Sequence, residues 1–506
     1  MIKDYLKELI LQNFGFQTTI QQDKVVNSLC DFLLTPDADS IFLLKGFAGT
    51  GKTSLISALI KTMKQLEREC VLIAPTGRAA KVLSLYADHP AYTIHKRIYR
   101  QKSVDKDSIF TLNYNMRQNL LFICDEASMI ANDEYASGSM YGTGRLLDDM
   151  IHFVYGGKGC RLIIMGDTAQ LPPVGEGESP ALQEDMLRGY GLDVTSHTLT
   201  EVVRQAESSG ILWNATRLRQ LMDTEDIFSL PKIRFKGFPD VRNVPGNELI
   251  EVLEECYRRD GEDETIVVTR SNKRAIIYNN GIRTQILWRE ECLEGGDMLI
   301  VAKNNYFWTE QIAESMKADN TSNKTEDKET EEEKMPFDFI ANGDTCIVRS
   351  IHREREMYGF TFADGELYFP DYDFTMEMTL LLDTLQSEAP SLTSEQQNIL
   401  YNNVIADYEE INIAPKGLPV WKKTTKAERQ KAMRKDPYYN ALQIKYAYAI
   451  TCHKAQGGQW TNVFIDQGYM TEDMLGPEYF RWLYTAVTRA TKRVFFVNWS
   501  EKQMQE

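Results

Sequence analysis

Long apolar runs, paired cysteines and an excess of positive charge are all missing from this chain. No segment of its 506 residues could span a bilayer. The opening stretch Met1-Ile2-Lys3-Asp4-Tyr5-Leu6-Lys7-Glu8 is charged and amphipathic, without an uninterrupted apolar region. No membrane contact is expected, and a soluble cytoplasmic protein is. The eight cysteines, Cys30, Cys70, Cys124, Cys160, Cys256, Cys292, Cys346 and Cys452, are scattered with no CxxC pair and no histidine cluster nearby. They read as ordinary buried thiols in a reducing compartment. The formal net charge is −16 and the pI about 5.1, which argues against a protein that coats nucleic acid by bulk attraction. Any nucleic-acid site must then be a local groove.

What is present is apolar content of 43%, enough for several cores, and a length that suggests roughly three or four domains. The sharpest local signal is Gly46-Phe47-Ala48-Gly49-Thr50-Gly51-Lys52-Thr53. It follows the apolar run Ile41-Phe42-Leu43-Leu44 and precedes Ser54-Leu55-Ile56-Ser57-Ala58-Leu59-Ile60, the strand, glycine-rich turn and helix that a phosphate-binding loop requires. Glycines let backbone amides converge on phosphate oxygens, and the helix start adds partial positive charge. Lys52 is expected to reach the β and γ phosphates of ATP, and Thr53 to hold Mg²⁺.

Upstream, residues 2–34 read as helical, with Val25, Val26, Leu29 and Phe32 at helical spacing. Within this stretch Thr19-Ile20-Gln21-Gln22 offers a glutamine amide that suits an adenine edge, and a helix cap by Thr19 accounts for the same residues equally well. Downstream, the runs Val71-Leu72-Ile73-Ala74, Leu120-Leu121-Phe122-Ile123 and Leu162-Ile163-Ile164-Met165 alternate with helical patterns over Ala79 to Tyr86 and Arg145 to Tyr155. Apolar strands alternating with helices indicate a parallel sheet covered on both faces.

Each of these strands ends in polar residues, and ligands bind at that edge of an open α/β sheet. After Cys124 comes Asp125-Glu126-Ala127-Ser128. Asp125 is the candidate Mg²⁺ residue, acting through water, and Glu126 the candidate base that polarises the attacking water. After Met165 comes Gly166-Asp167-Thr168-Ala169-Gln170-Leu171-Pro172-Pro173, where Gln170 is a candidate γ-phosphate sensor followed by a proline-stiffened segment. After Ala74 come Pro75-Thr76-Gly77-Arg78, and further on Thr93-Ile94-His95-Lys96. Hydroxyls, backbone amides and cationic groups at strand ends are what a nucleic-acid backbone would meet.

The second half repeats this architecture less legibly. Thr265-Ile266-Val267-Val268-Thr269, Tyr446-Ala447-Tyr448-Ala449-Ile450, Val463-Phe464-Ile465 and Val494-Phe495-Phe496-Val497 read as strands, and Asn272 to Trp288 as a helix. Between Gly295 and about Pro437 the alternation lapses into short runs, Met298 to Val301, Thr345 to Val348 and Phe360 to Phe362, with turns at Asn342-Gly343-Asp344 and Ala363-Asp364-Gly365. That pattern suits a small β-barrel inserted into an α/β domain. Lys317 to Lys334 is nearly devoid of apolar residues and reads as a disordered acidic surface loop. The basic stretch from Lys416 through Trp421, Lys422 and Lys423 to Lys435 fits either a phosphate- and base-contacting surface or a solvated helix face.

Taken in order, these motifs resemble the superfamily 1 DNA helicases of the RecD/Dda-like, 5′-to-3′ branch over most of the chain. The loop Gly46 to Thr53, Ala74 to Ala80, Thr93-Ile94-His95, Asp125 to Ser128 and Gly166 to Pro173 match the first RecA-like domain of that family. Leu199-Thr200-Glu201-Val202-Val203-Arg204-Gln205, Ala449 to Gly457 and Tyr484-Thr485-Ala486-Val487-Thr488-Arg489-Ala490 match the later motifs. The resemblance implies Gln22 as adenine reader and adds Gly457 to the nucleotide-binding set Gly46, Ala48, Gly49, Thr50, Gly51, Lys52 and Thr53. It makes Arg204 and Arg489 the catalytic arginines that enter the cleft, beside Lys52, Glu126 and Gln170. It also gives Pro75, Thr76, Gly77, Arg78, Thr93, His95, Thr451, His453 and Lys454 as nucleic-acid contacts.

The implied fold is α/β, with two RecA-like P-loop domains. Residues 1–198 form the first, with a wedge insertion at about 97–118. Residues 199–295 and 437–506 form the second, with an SH3-like barrel insertion at 296–436. The implied activity is ATP-driven 5′-to-3′ translocation on single-stranded DNA and unwinding of forked DNA, by a chain read as a monomer. Two alternatives stand beside it: a nucleotide-gated DNA-binding ATPase, and a translocase that displaces proteins without productive unwinding. Thr18-Thr19 stands where relatives tend to carry a proline before the threonine, and the acidic loop is an addition to the family pattern.

Overall fold

The computed structural model describes residues 1–35, 39–101, 110–133, 142–203, 208–224, 226–312, 339–412 and 421–505. The acidic stretch 317–334, Arg204 and the start of the basic stretch at Lys416 lie outside them. The chain forms two compact units, Met1–Val268 with Cys452–Glu506, and Thr269–Thr451.

The first unit begins with two helices, Ile2–Phe14 and Ile20–Leu34, where the sequence pattern reads as one. Gly15 divides them: it adopts φ +71 and ends the first helix, a conformation a side chain at that position would resist. Both helices pack through Leu6, Ile10, Val25, Val26 and Leu29 onto the strands and the helix that follow.

Those strands are β1 (Ser40–Gly46), β2 (Cys70–Ala74), β3 (Ala91–Thr93), β4 (Tyr99–Gln101), β5 (Phe110–Leu112), β6 (Leu121–Cys124), β7 (Arg161–Gly166) and β8 (Asp193–Leu199). Six of them form a parallel sheet in the order β3-β2-β6-β7-β1-β8. Its central strands are buried on both faces, as their unbroken apolar runs require. β1 lies between β7 and β8, while β6 and β7 are adjacent, so the phosphate loop, Asp125-Glu126 and the Gly166–Pro173 segment all leave the same edge of the sheet. β4 and β5 form an antiparallel hairpin within the range expected for a wedge, and 102–109 at its tip lie outside the described residues.

The unit also holds Val241–Val244, Ala490–Val497, Trp460–Asp466 and Thr265–Thr269, adjacent in that order in a second sheet. Packed with them, the helix Pro477–Val487 is buried along most of its length.

In the second unit, Met298–Val301, Thr345–Met357, Phe360–Phe369, Phe374–Leu381 and Leu442–Tyr446 close into a barrel. The single strand expected over Tyr446 to Ile450 is in fact two, Leu442–Tyr446 in the barrel and Ala449–Thr451 beyond it. The long hairpin Thr345–Met357 and Phe360–Phe369 carries a further small core, in which Phe360 and Phe362 pack against Leu400 and Val404 of the helix Ser394–Ala406 and Met433 of the helix Lys426–Arg434. The sequence reading contained no helix at Ser394–Ala406, while at Lys426–Arg434 a helix face was one of its two alternatives. Lys431 and Arg434 on the second are exposed, as is Trp421 at 62%. All eight cysteines are free thiols, seven of them buried; Cys292 is exposed, contrary to the expectation of a uniformly buried set. Among the described residues no helix is long and apolar enough to cross a membrane.

Candidate active site

The loop after β1 turns into the helix Lys52–Gln65 through Gly51, at φ +81. A Cβ on Gly51 would stand 2.7 Å from Gln22 Nε2, so only glycine fits between loop and glutamine. Around the start of this helix lies a cavity of about 340 Å³ lined by Ala48, Gly49, Gly51, Lys52, Thr53, Asp125, Glu126, Gln170, Gly457 and Arg489, among others. Ten expected residues, drawn from five separate stretches of sequence, therefore meet at one place. The first turn of the helix directs its N–H groups to the same place, which favours phosphate oxygens.

Three expected nucleotide contacts sit behind this wall. Gln22 is buried at 1%; its Nε2 donates to the Thr50 carbonyl (2.9 Å) and its Oε1 accepts the Thr19 N–H (3.0 Å), while Thr19 Oγ1 accepts the Gln22 N–H. That is the capping arrangement, and it braces the phosphate loop from behind. Gln21 instead reaches Thr200 and Glu201. Thr50 Oγ1 donates to the Phe47 carbonyl (2.7 Å) and closes the loop on itself. A Cβ on Gly46 would meet the Lys52 side chain at 2.9 Å, so this glycine clears the path of the lysine stem. Lys52 Nζ lies along the loop, donating to the carbonyls of Gly46 and Phe47.

Across the cavity, Asp125 Oδ1 accepts the Glu126 N–H (2.7 Å), and Glu126 holds a left-handed backbone at φ +51. A non-glycine residue in that region stores strain, which concentrates at functional sites. Burial, and then the charge of Glu126, raises the Asp125 carboxyl above its ordinary range; Lys52 and Arg489 pull it back. A cation beside Asp125 would relieve the same cost. Among the described residues no three His, Cys, Asp or Glu side chains converge on a metal position. A Mg²⁺ ion here would take oxygens from Thr53, Asp125 and the phosphates, the sparse protein set that this cation uses. Gln170 is buried, and its Oε1 has no hydrogen-bond partner among the described residues. A buried amide oxygen at a cavity wall is suited to accept a hydrogen bond from a water or a ligand donor.

Arg489 closes the cavity from the end of the helix Pro477–Val487. It is 4% exposed, donates through Nε to the Thr485 carbonyl (3.2 Å) and through Nη1 to the Gly458 carbonyl (3.2 Å), and lies 3.7 Å from Glu126 Oε1. Gly457 has φ +72, and a Cβ there would meet Ala79 Cβ at 2.8 Å, so the glycine allows close approach to the helix Gly77–Ala87.

The expected nucleic-acid contacts are dispersed. Thr76 and Thr93 cap helices, accepting the N–H groups of Ala79 and Lys96. Pro75 lies just before the first of these helices, and Gly77 is its first residue. Arg78 stacks on Trp460, its guanidinium carbon 3.9 Å from the ring centroid. His95 follows β3, and its burial lowers its pKa to about 4, so the ring is neutral at physiological pH. His453 and Lys454 lie on the short helix Cys452–Ala455, and Thr451 ends a strand in the second unit.

Several polar residues at the site were given no role by the sequence reading. Asp167, Thr485 and the Tyr484 hydroxyl tie the Gly166–Pro173 segment and the phosphate loop to the helix Pro477–Val487, and Gln456, just after the helix Cys452–Ala455, donates to the Leu171 carbonyl. The available signal was the presence of Tyr484 and Thr485 among the apolar Leu483, Ala486 and Val487, because buried hydroxyls need partners.

Residues 21–227 match the AAA domain family, and residues 446–497 match the UvrD-like helicase C-terminal domain. The ATP-dependent DNA helicase dda of Enterobacteria phage T4 is 23% identical over 471 residues, covering 90% of this chain and 93% of its own. The chain belongs to the superfamily 1 helicases of the RecD/Dda-like branch. An uncharacterized protein of Acanthamoeba polyphaga mimivirus is 24% identical to this helicase, over 94% of the chain and 99% of the viral protein. A solved structure of the Pif1 helicase from Bacteroides aligns over 97% of this chain and 95% of its own, at 15% identity and a TM-score of 0.44. Within the helicase, the first family match contains the phosphate loop and Glu126, and the second contains Gly457 and Arg489.

Proposed function

We propose that this ATP-dependent DNA helicase uses ATP with Mg²⁺ to travel 5′-to-3′ along single-stranded DNA and to part forked duplex. The observation that carries the reading is Arg489, brought from the far end of the chain to 3.7 Å from Glu126 at the rim of the phosphate-loop cavity. A planar guanidinium there can stabilise charge on the transferring phosphoryl group, so hydrolysis depends on the two family segments meeting. Lys52 supplies charge to the β and γ phosphates, Glu126 orients and deprotonates the attacking water, and Gln170 senses the γ-phosphate through its amide N–H groups while its Oε1 accepts from the attacking water. Thr53 and Asp125 would hold Mg²⁺, which supplies charge neutralisation between phosphate oxygens.

In this reading residues 1–198 and 199–295 with 437–506 are the two motor domains, and 296–436 an SH3-like insertion. The β4–β5 hairpin, within 97–118, is the wedge that meets the fork. Arg204 is the second arginine of the cleft. Gln22 supports the adenine side of the site through the loop it braces. Pro75, Thr76, Gly77, Arg78, Thr93, His95, His453 and Lys454 are the strand contacts carried by the first unit, and Thr451 is one carried by the second. If each motor domain grips that strand in turn, closure and opening of the cleft become directional motion.

The deciding experiment pairs a single-strand-stimulated ATPase assay with unwinding of forks that carry only a 5′ or only a 3′ single-stranded tail. The expected result is DNA-stimulated hydrolysis and strand separation confined to the 5′-tailed fork. Hydrolysis indifferent to DNA would defeat the motor reading. Stimulated hydrolysis that leaves both forks intact would replace unwinding by translocation alone.

A further inference from the structure

Tyr484 lies in the middle of a bond chain that the mechanism above does not use. Its hydroxyl accepts the Ala48 N–H of the phosphate loop (2.9 Å) and donates to Asp167 Oδ2 (2.6 Å). Asp167 Oδ1 in turn accepts the Ala169 N–H (2.9 Å), one residue before Gln170. Tyr484 is 1% exposed and Asp167 2%, so these bonds are largely shielded from bulk water. A hydroxyl has one proton to give, and here it bridges a backbone donor and a carboxylate, an arrangement in which each bond polarises the next.

The same helix makes two further attachments. Thr485 Oγ1 accepts the Leu171 N–H (2.9 Å), just past Gln170, and the Thr485 carbonyl accepts Arg489 Nε (3.2 Å). The helix that leads into the catalytic arginine is thus fastened, within about one and a half helical turns of it, to the phosphate loop on one side and to the Gln170 segment on the other.

We propose that Tyr484 is a positioning residue for ATP hydrolysis, its hydroxyl joining Ala48 to Asp167 so that the phosphate loop, Gln170 and Arg489 keep one register. The inference rests on the ATPase reading above and assigns to it the device that couples loop to arginine. Phenylalanine is the informative replacement, since it keeps the buried ring and removes only the shared atom.

Tyr479 supplies the control. It is a buried tyrosine on the same helix whose hydroxyl donates to Gln467 Oε1 (2.7 Å) and accepts from Gln503 Nε2 (3.1 Å), neither of which lines the cavity. In the full chain with saturating single-stranded DNA, Tyr484→Phe is expected to lower kcat by roughly 10- to 100-fold, the scale of loss when reacting groups shift by about an ångström. KM for ATP and Kd for ADP should move less than about threefold, because uniform binding is untouched. Tyr479→Phe should lower Tm to a similar degree with kcat retained.

Should Tyr484→Phe fail to fold, Asp167→Ala removes the other end of the bridge. It should show the same kcat-selective loss. Where both variants fold, the double variant should be no slower than the slower single one, since both break one chain. A Tyr484→Phe kcat within twofold of wild type, or a matching kcat loss in Tyr479→Phe, overturns the proposal. A wild-type chain with no ATPase overturns the parent reading and takes this one with it; a wild-type chain that hydrolyses beside an unimpaired Tyr484→Phe overturns this one alone.

Discussion

Asp297 in the second unit and Asp125 in the first are carboxylates held in place by opposite means. Asp297 is fully buried and fully engaged: Arg283 grips it with two bonds (2.9 Å each), and Arg289, the Tyr448 hydroxyl and the Glu294 N–H complete the shell. Asp125 accepts the Glu126 N–H and faces a cavity with another carboxylate beside it, and its carboxyl is raised as a result. The saturated cluster spends its charge on holding one conformation. The unsaturated one keeps lone pairs and charge exposed to whatever enters, which is the condition for binding a cation and a phosphate chain. Burial alone therefore does not mark function here; the deficit of partners does.

The sharpest way to break this contrast is at Lys52. Lys52→Ala should reduce ATP turnover to background, because the γ-phosphate charge loses its nearest positive group. Near-normal turnover in a steady-state assay would mean that the cavity is not the hydrolytic site. Next in size is Arg489. Arg489→Ala should lower kcat on the order of 10³-fold while nucleotide still binds, since the contact is made mainly in the transition state. Arg489 also donates to the carbonyls of Thr485 and Gly458, so a structural role competes with the catalytic one. Arg489→Lys separates them: a retained charge without the planar fork should recover little of kcat. Recovery to within a few-fold would show that charge alone suffices.

The saturated cluster predicts the reverse pattern. Asp297→Ala leaves two guanidinium groups without their carboxylate and should destabilise the protein by about 3–5 kcal/mol, read as a fall in the urea midpoint. Far below that midpoint, kcat and KM for ATP should remain near wild type. A selective fall in kcat without loss of stability would erase the distinction between the two clusters.

How much could be read from the residues follows the same division. The phosphate loop, Asp125-Glu126 and Gln170 are local signals: each is a short polar segment at the end of an apolar strand, and parallel pairing of β6, β7 and β1 brings those ends together with little further specification. The turn at Gly15, the cap formed by Gln22 and the break before Ala449 depend on backbone conformation and side-chain competition that the apolar pattern does not encode. The helix Ser394–Ala406 escaped because it buries only Leu400 and Val404, so its apolar stripe is thin. Tyr484 was visible within a motif, yet its role depends on Ala48 and Asp167, both more than 300 positions away. Long-range polar partners of that kind leave no periodic trace.

His95 offers the smallest test, and it concerns whether a buried titratable ring always serves the nucleotide site. Its imidazole is held near pKa 4 by burial alone, against about 6.5 in an unfolded chain. Because the folded state binds that proton less readily, the contribution of His95 to stability is complete above the unfolded value. It is lost progressively as pH falls from 6.5 towards 4. The wild-type protein should therefore lose roughly 2 kcal/mol more stability over that interval than His95→Gln does, measured by urea midpoints at several pH values. Near pH 7.5 the ring is neutral, so His95→Gln should leave the salt dependence of DNA affinity unchanged. Superimposable acid limbs in the two proteins would mean that the ring reaches water in the folded state. A changed salt slope at pH 7.5 would mean that it meets phosphate as a cation, which its packing beside Tyr99, at 5.7 Å between ring centres, argues against.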